Sequence, residues 1–155
     1  MARYLVVAHQ TVTSPQLLRK VRALREQEEA RGAVAEFVLL VPATPVRHLL
    51  FRRGGEHDAG HDAEAVARRI ADRALFRYAR KGLPLYDARI GAADPIQAID
   101  DELRTNPGYT AVVISTLPEE RSRWLRMALP GKVAAAHGLP VHHVVAEDFG
   151  LADLP

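Results

Sequence analysis

The most constraining feature of this chain is a pair of short, unbroken apolar runs, Tyr4-Leu5-Val6-Val7-Ala8 and Thr110-Ala111-Val112-Val113-Ile114-Ser115-Thr116. A strand wetted on one face alternates apolar with polar residues, whereas a strand apolar at successive positions must be covered on both faces. Each run therefore needs helices above and below it. The chain supplies them by alternating strand-like runs with segments of helical period, the pattern of parallel βαβ units with right-handed crossovers.

The first helix follows His9–Ser14, with Ser14 as N-cap, Pro15 at its first position and Leu17, Leu18, Val21 and Leu24 on one stripe, and Gly32 ends it. The second strand is Glu36–Val41, closed by Pro42. Ala43 to His61 shows no periodicity and reads as a long loop. The second helix is expected over Asp62–Lys81, with Asp62 as N-cap, Val66, Ile70, Ala74 and Tyr78 on one face, and Gly82 just past its end. Leu83–Ile90 reads as the third strand, less uniformly apolar and so suited to an edge. Asp94 caps a third helix with Pro95 at its start, and Asn106-Pro107-Gly108 breaks it before the fourth strand. Gly138-Leu139-Pro140 leads into the fifth, Val141–Ala146, and residues 147–155 read as a tail. The expected architecture is one α/β domain over 1–155, with its core over about 4–146. It is a three-layer sandwich around a five-stranded parallel sheet of order 3-2-1-4-5.

Composition narrows the function classes. The absence of cysteine removes disulfides, thiol catalysis and Cys-based metal centres. No apolar run reaches the roughly 20 residues of a membrane span, so no membrane insertion is expected. The start shows none of the parts of a signal peptide, and the cytoplasm is the expected location. The net charge of +2 comes mostly from Arg alternating with Glu and Asp, as in Arg25-Glu26-Gln27-Glu28-Glu29. That is a solvated face rather than a nucleic-acid patch, and aromatic residues are only 6%, leaving few stacking platforms; no nucleic-acid partner is expected.

In an open parallel sheet a ligand binds beyond the carboxyl ends of the strands where their order reverses, here between strands one and four. The first flank offers His9, Gln10, Thr11, Thr13 and Ser14; the second offers Ser115, Thr116, Arg121, Ser122, Arg123, Gly131 and Lys132. With Pro130 opening the last helix, Gly131 and Lys132 are expected to present free backbone N–H groups, and adjoining Arg and Lys favour an anion. The alternative reading of these Ser and Thr residues is that they cap the helices that follow.

From Tyr4 to Val145 the order of elements resembles the universal stress protein family. The carriers are the Val-Val-Ala end of strand one, Gly91-x-x-Asp94-Pro95-x-x-Ala98-Ile99, Val112-Val113-Ile114-Ser115-Thr116, and the closing Val133 to Pro140-Val141-His142-His143-Val144. Leu40-Val41-Pro42-Ala43-Thr44-Pro45 and Ser122-Arg123-Trp124-Leu125-Arg126 resemble a divergent branch, some members of which are fused to membrane transporters. The resemblance implies a Rossmann-like fold of the adenine nucleotide alpha hydrolase type and a stress-response role. It also implies a homodimer through strand five, with a membrane transporter as a further partner. ATP-binding members carry an Asp after strand one and a Gly-x-x-Gly…Gly-Ser/Thr loop after strand four, whose glycines close the backbone around phosphates. This chain has His9-Gln10 and Leu117-Pro118-Glu119-Glu120-Arg121-Ser122-Arg123-Trp124 at those places. ATP or AMP is the cofactor the resemblance admits, through a different site.

His57-Asp58-x-x-His61-Asp62 reads first as a polar loop entering a helix, so no metal is expected; the alternative is zinc or manganese held by its imidazoles and carboxylates. His142-His143 places one imidazole on each face of strand five, either packed or at an interface. Trp124, the sole tryptophan, either covers the end of the sheet or meets a ligand or partner. No nucleophile elbow, Walker loop or close carboxylate pair is present, which points away from an enzyme. The leading expectation is a non-enzymatic binding or signalling module for a nucleotide or other anion. The alternatives are an interaction domain docking through strand five and Trp124, and a nucleotide-processing enzyme on the same architecture.

Overall fold

The computed structural model describes residues 1–45, 59–118 and 122–147, with residues 59–61 described by their backbone alone. The elements in chain order are β1 (Ala2–Val7), α1 (Pro15–Ala30), β2 (Ala35–Pro42), α2 (Ala59–Arg80), β3 (Asp87–Gly91), α3 (Pro95–Thr105), β4 (Ala111–Thr116), α4 (Arg123–Arg126), α5 (Leu129–His137) and β5 (Val141–Val145). The strands form one parallel sheet in the order β3-β2-β1-β4-β5. Both apolar runs that demanded double coverage, β1 and β4, lie inside it.

The two faces divide by residue parity, as strand geometry requires. Tyr4, Val6 and Ala8 of β1, Phe37, Leu39 and Val41 of β2, and Val113 of β4 join Leu17, Val21 and Leu24 of α1 and Ile70, Ala74 and Tyr78 of α2 in one buried cluster. Leu5 and Val7, Val38 and Leu40, and Val112 and Ile114 join Ala98 and Ile99 of α3, Trp124 of α4, and Leu129 and Val133 of α5 in the other. This is the expected three-layer, Rossmann-like α/β sandwich.

Local chemistry sets the helix ends. The Ser14 hydroxyl accepts from the Leu17 N–H at 3.1 Å and the Asp94 carboxylate from the Ile96 N–H at 3.0 Å, each followed by proline. Gly91 sits where α3 crosses β3: a Cβ there would stand 2.6 Å from the Ala98 Cβ and 3.0 Å from the Leu40 Cδ1, so the close helix–sheet contact requires glycine.

Three expectations are corrected. Asp62 is not the N-cap of α2, because the helix begins at Ala59 and Asp62 lies in its first turn, where the carboxylate still complements the helix dipole. The third strand begins at Asp87 rather than Leu83: Leu83 turns inward to the core and Tyr86 is exposed, with ladder pairing to β2 starting only at Val38 and Asp87. Trp124 is no docking residue, since it is 8% exposed and belongs to the second core.

Candidate functional site

The carboxyl ends of β1 and β4 converge at the reversal of strand order. Register places Val7 beside both Leu40 and Ile114, so the segment after β1 runs out between the ends of β2 and β4. Ala8 keeps one sheet contact, its N–H donating to the Leu40 carbonyl at 3.3 Å. The chain then turns, Val12 N–H to His9 carbonyl and Ser14 N–H to Thr11 carbonyl, to enter α1.

The turn is anchored by two buried side-chain bonds. The Thr11 and Ser115 hydroxyls share a hydrogen bond of 2.7 Å, joining the turn to the end of β4. From the α2 side, the fully buried Tyr78 hydroxyl donates to the Val12 carbonyl at 2.6 Å. Burial pushes the Tyr78 phenol far above its ordinary pKa, so it stays a donor throughout the accessible range. Nothing in the sequence ties Tyr78 to this turn; its place on the apolar stripe of α2 predicts only burial.

His9 has no such anchor. It is 8% exposed, and its Nε2 is buried without a hydrogen-bond partner. Burial lowers its pKa to about 4, so the imidazole is neutral near pH 7. A buried polar atom left unpaired costs roughly 1–3 kcal/mol, and the Gln16 Oε1 in the first turn of α1 is buried without a partner as well.

The other expected residues are distributed differently. Gln10 is half-buried beside His9. The Thr116 hydroxyl bonds the His143 Nε2 at 2.9 Å. The Ser122 hydroxyl accepts from the Leu125 N–H at 3.1 Å and so caps α4, which is the capping alternative for that residue. Arg123, Gly131 and Lys132 are exposed. The Lys132 N–H is not free: it donates to the Ala128 carbonyl at 3.1 Å, because α5 begins one residue before Pro130 and Lys132 closes its first turn. Arg121 and His57 lie outside the described residues, as does the side chain of His61. Among the described residues no group of three or more His, Cys, Asp or Glu side chains is placed to hold a metal, and no helix is long and apolar enough to cross a membrane.

The arrangement therefore brings together His9, Thr11, Ser115 and Thr116 at the strand ends, with three hydroxyls committed and one imidazole nitrogen uncommitted. A neutral imidazole nitrogen can make one hydrogen bond, but this one lies beneath the surface, so a ligand would have to displace its cover to reach it. Among the described residues no carboxylate stands paired with His9, so no acid–base couple is assembled around it.

At the opposite, amino end of the sheet a second polar cluster serves structure. One Glu102 oxygen accepts from the Tyr109 hydroxyl at 2.7 Å, from Asn106 at 3.1 Å and from the Arg89 guanidinium, which also bonds Asp87. Its hydrogen bonds fasten α3 to β3 and to Tyr109, two residues before β4. Compared with protein-family models and with curated proteins, the chain matches none.

Proposed function

We propose that this protein is a non-enzymatic binding or signalling module of the universal stress protein kind, holding a small ligand in the crevice between β1 and β4. The observation that carries this reading is the buried, unpartnered Nε2 of His9 at the reversal of strand order. Sheets of this type bind ligands at that point, and a partner there would offset a desolvated nitrogen. The ligand class is a nucleotide, ATP or AMP, or another anion. Because the imidazole is neutral, the ligand's charge would be met by the exposed Arg123 and Lys132 rather than by His9. A cytoplasmic stress-response role accords with the family resemblance.

Titration calorimetry with ATP, AMP and inorganic phosphate tests the reading, together with chromatography of the supernatant from heat-denatured protein. Binding by the parent protein that weakens at least tenfold in His9→Ala supports it. No released nucleotide and no heat at millimolar ligand overturns it.

A second reading, docking of a partner strand on β5, is favoured by the contrast between the two sheet edges. β3 presents Asp87 and Arg89, paired with each other at 2.9 Å, the charged guard that discourages further pairing. β5 is Val-His-His-Val-Val, with no charged residue or proline, and Val145 is 37% exposed. A second copy of the chain is the simplest partner for such an edge, and a membrane transporter is the further partner that the family resemblance suggests.

A further inference from the structure

We infer that the outer face of α2 docks on an anionic phospholipid surface, with Phe76 entering the interface and Arg68, Arg69 and Arg80 meeting the headgroups. This face belongs to the α1–α2 layer and involves neither the β1–β4 crevice nor the β5 edge. The helix commits Ala67, Ile70, Ala71, Ala74 and Tyr78 to the core, which leaves the opposite face turned outward.

The charges on that outer face are unbalanced, unlike those of α1 beside it and α3 across the sheet. The exposed charged residues of α1 are Arg19 and Arg22 against Glu26 and Glu29. Those of α3, Asp101 and Arg104, bond each other at 3.0 Å. On α2 the exposed Arg68, Arg69, Arg73 and Arg80, with Lys81 directly after, stand against Glu64 and Asp72. Asp72 lies one turn from Arg68 and Arg69, and its single charge offsets one of them. From α1 the Arg22 guanidinium donates to the Lys81 carbonyl at 2.9 Å, which brings a further cation to the same end of α2.

The same face exposes apolar surface. Phe76 is 63% exposed, and Leu75 beside it is exposed too. The residues one turn from Phe76 are Asp72, Arg73, Ala79 and Arg80, and the Arg80 guanidinium stands over the ring, 5.6 Å from its centroid. α4 and α5 expose Arg123, Arg126 and Lys132, but no large apolar side chain is exposed among them, so cations and a bare ring coincide on α2. That combination suits a lipid interface: the ring enters the boundary between headgroups and acyl chains while the cations meet phosphates and carboxylates. The convex face of one helix needs no matching hollow in a lipid surface, whereas an acidic protein would have to present one to cover Phe76. The contact is with the surface alone, since no described helix is long and apolar enough to cross a membrane.

Co-sedimentation of the full chain with vesicles tests this, using phosphatidylcholine alone and phosphatidylcholine with phosphatidylserine in equal parts. The parent protein should bind the mixed vesicles roughly tenfold or more tightly than the neutral ones, and high salt should remove the difference. Arg68→Gln, Arg69→Gln and Arg80→Gln should each weaken binding about fivefold, and Phe76→Ala by about fivefold or more. Arg104→Gln, on the far side of the sheet, should leave it unchanged. Phe76→Trp should bind as the parent does, with a blue shift in fluorescence on mixed vesicles that the buried Trp124 of the parent does not show. No binding to mixed vesicles, equal binding to both kinds, or equal loss in Arg104→Gln overturns the inference. Vesicle binding untouched by Phe76→Ala, or matched by equally tight binding of poly-glutamate, overturns the lipid interface in favour of a general polyanion surface. Far-ultraviolet circular dichroism on each variant separates lost docking from lost folding.

Discussion

The Thr11 and Ser115 hydroxyls, 104 residues apart in the chain, meet at 2.7 Å and join the turn after β1 to the end of β4. Neither has an alternative partner in water, because both residues are buried. Thr11→Val should leave the Ser115 hydroxyl unpaired and cost about 1–3 kcal/mol. The double variant Thr11→Val/Ser115→Ala should cost less than the sum of the two single ones, since it removes both halves of the bond. Urea unfolding of the four proteins measures the coupling, and strict additivity would show that the bond contributes nothing.

His9 should make the protein acid-labile. Its folded pKa of about 4 lies below the ordinary imidazole value, so between the two the unfolded chain binds more protons and stability falls as the pH falls. The full effect, reached below pH 4, is about 3 kcal/mol. His9→Leu should abolish this component between pH 6.5 and 4. It should also be neutral or stabilising at pH 7, because it removes an unpaired buried nitrogen. Denaturant midpoints across that pH range, compared between the two proteins, check both points.

Gly91→Ala should be destabilising by about 1–3 kcal/mol through overpacking, since the new methyl meets the Ala98 Cβ at 2.6 Å. Ala98→Gly in the same chain should recover part of the loss, limited by the roughly 1 kcal/mol cost of glycine in a helix. Thermal melts of the single and double variants decide whether the contact or some other property of Gly91 is responsible.

Glu102→Ala should cost about 1–3 kcal/mol, because it strands the Tyr109 hydroxyl and leaves the Arg89 guanidinium with Asp87 as its remaining partner. Glu102→Gln, which keeps an acceptor, should cost less. Burial and the Glu102 carboxylate together push the Tyr109 phenol well above its ordinary pKa. An ultraviolet alkaline titration should therefore show one tyrosine ionising earlier in Glu102→Gln than in the parent protein. Unchanged ionisation would mean that Glu102 does not govern Tyr109.

Local features of the chain carried much of the fold. Ser14-Pro15 and Asp94-Pro95 marked two helix starts, because a cap acts on N–H groups two or three residues away. Tyr4–Ala8 and Thr110–Thr116 marked the inner strands, because continuous apolarity demands cover on both faces. Helix starts without such a cap were misplaced: α2 begins before Asp62 and α5 before Pro130, since apolar periodicity locates a helix but not its first residue.

By itself the sequence determined parallel βαβ units, and with an expected order of 3-2-1-4-5, which the structure shows, it placed the candidate site at the ends of β1 and β4. Only the tertiary structure decided which polar groups there are already spent. Thr11 is committed to Ser115, Thr116 to His143, Tyr78 to Val12 and Ser122 to its own helix, while the His9 Nε2 is buried without a partner. The division is physical. Caps and periodicity act over a few residues and are written locally, whereas hydrogen bonds such as Thr11–Ser115 and Tyr78–Val12 depend on strand register and helix docking set by the whole core.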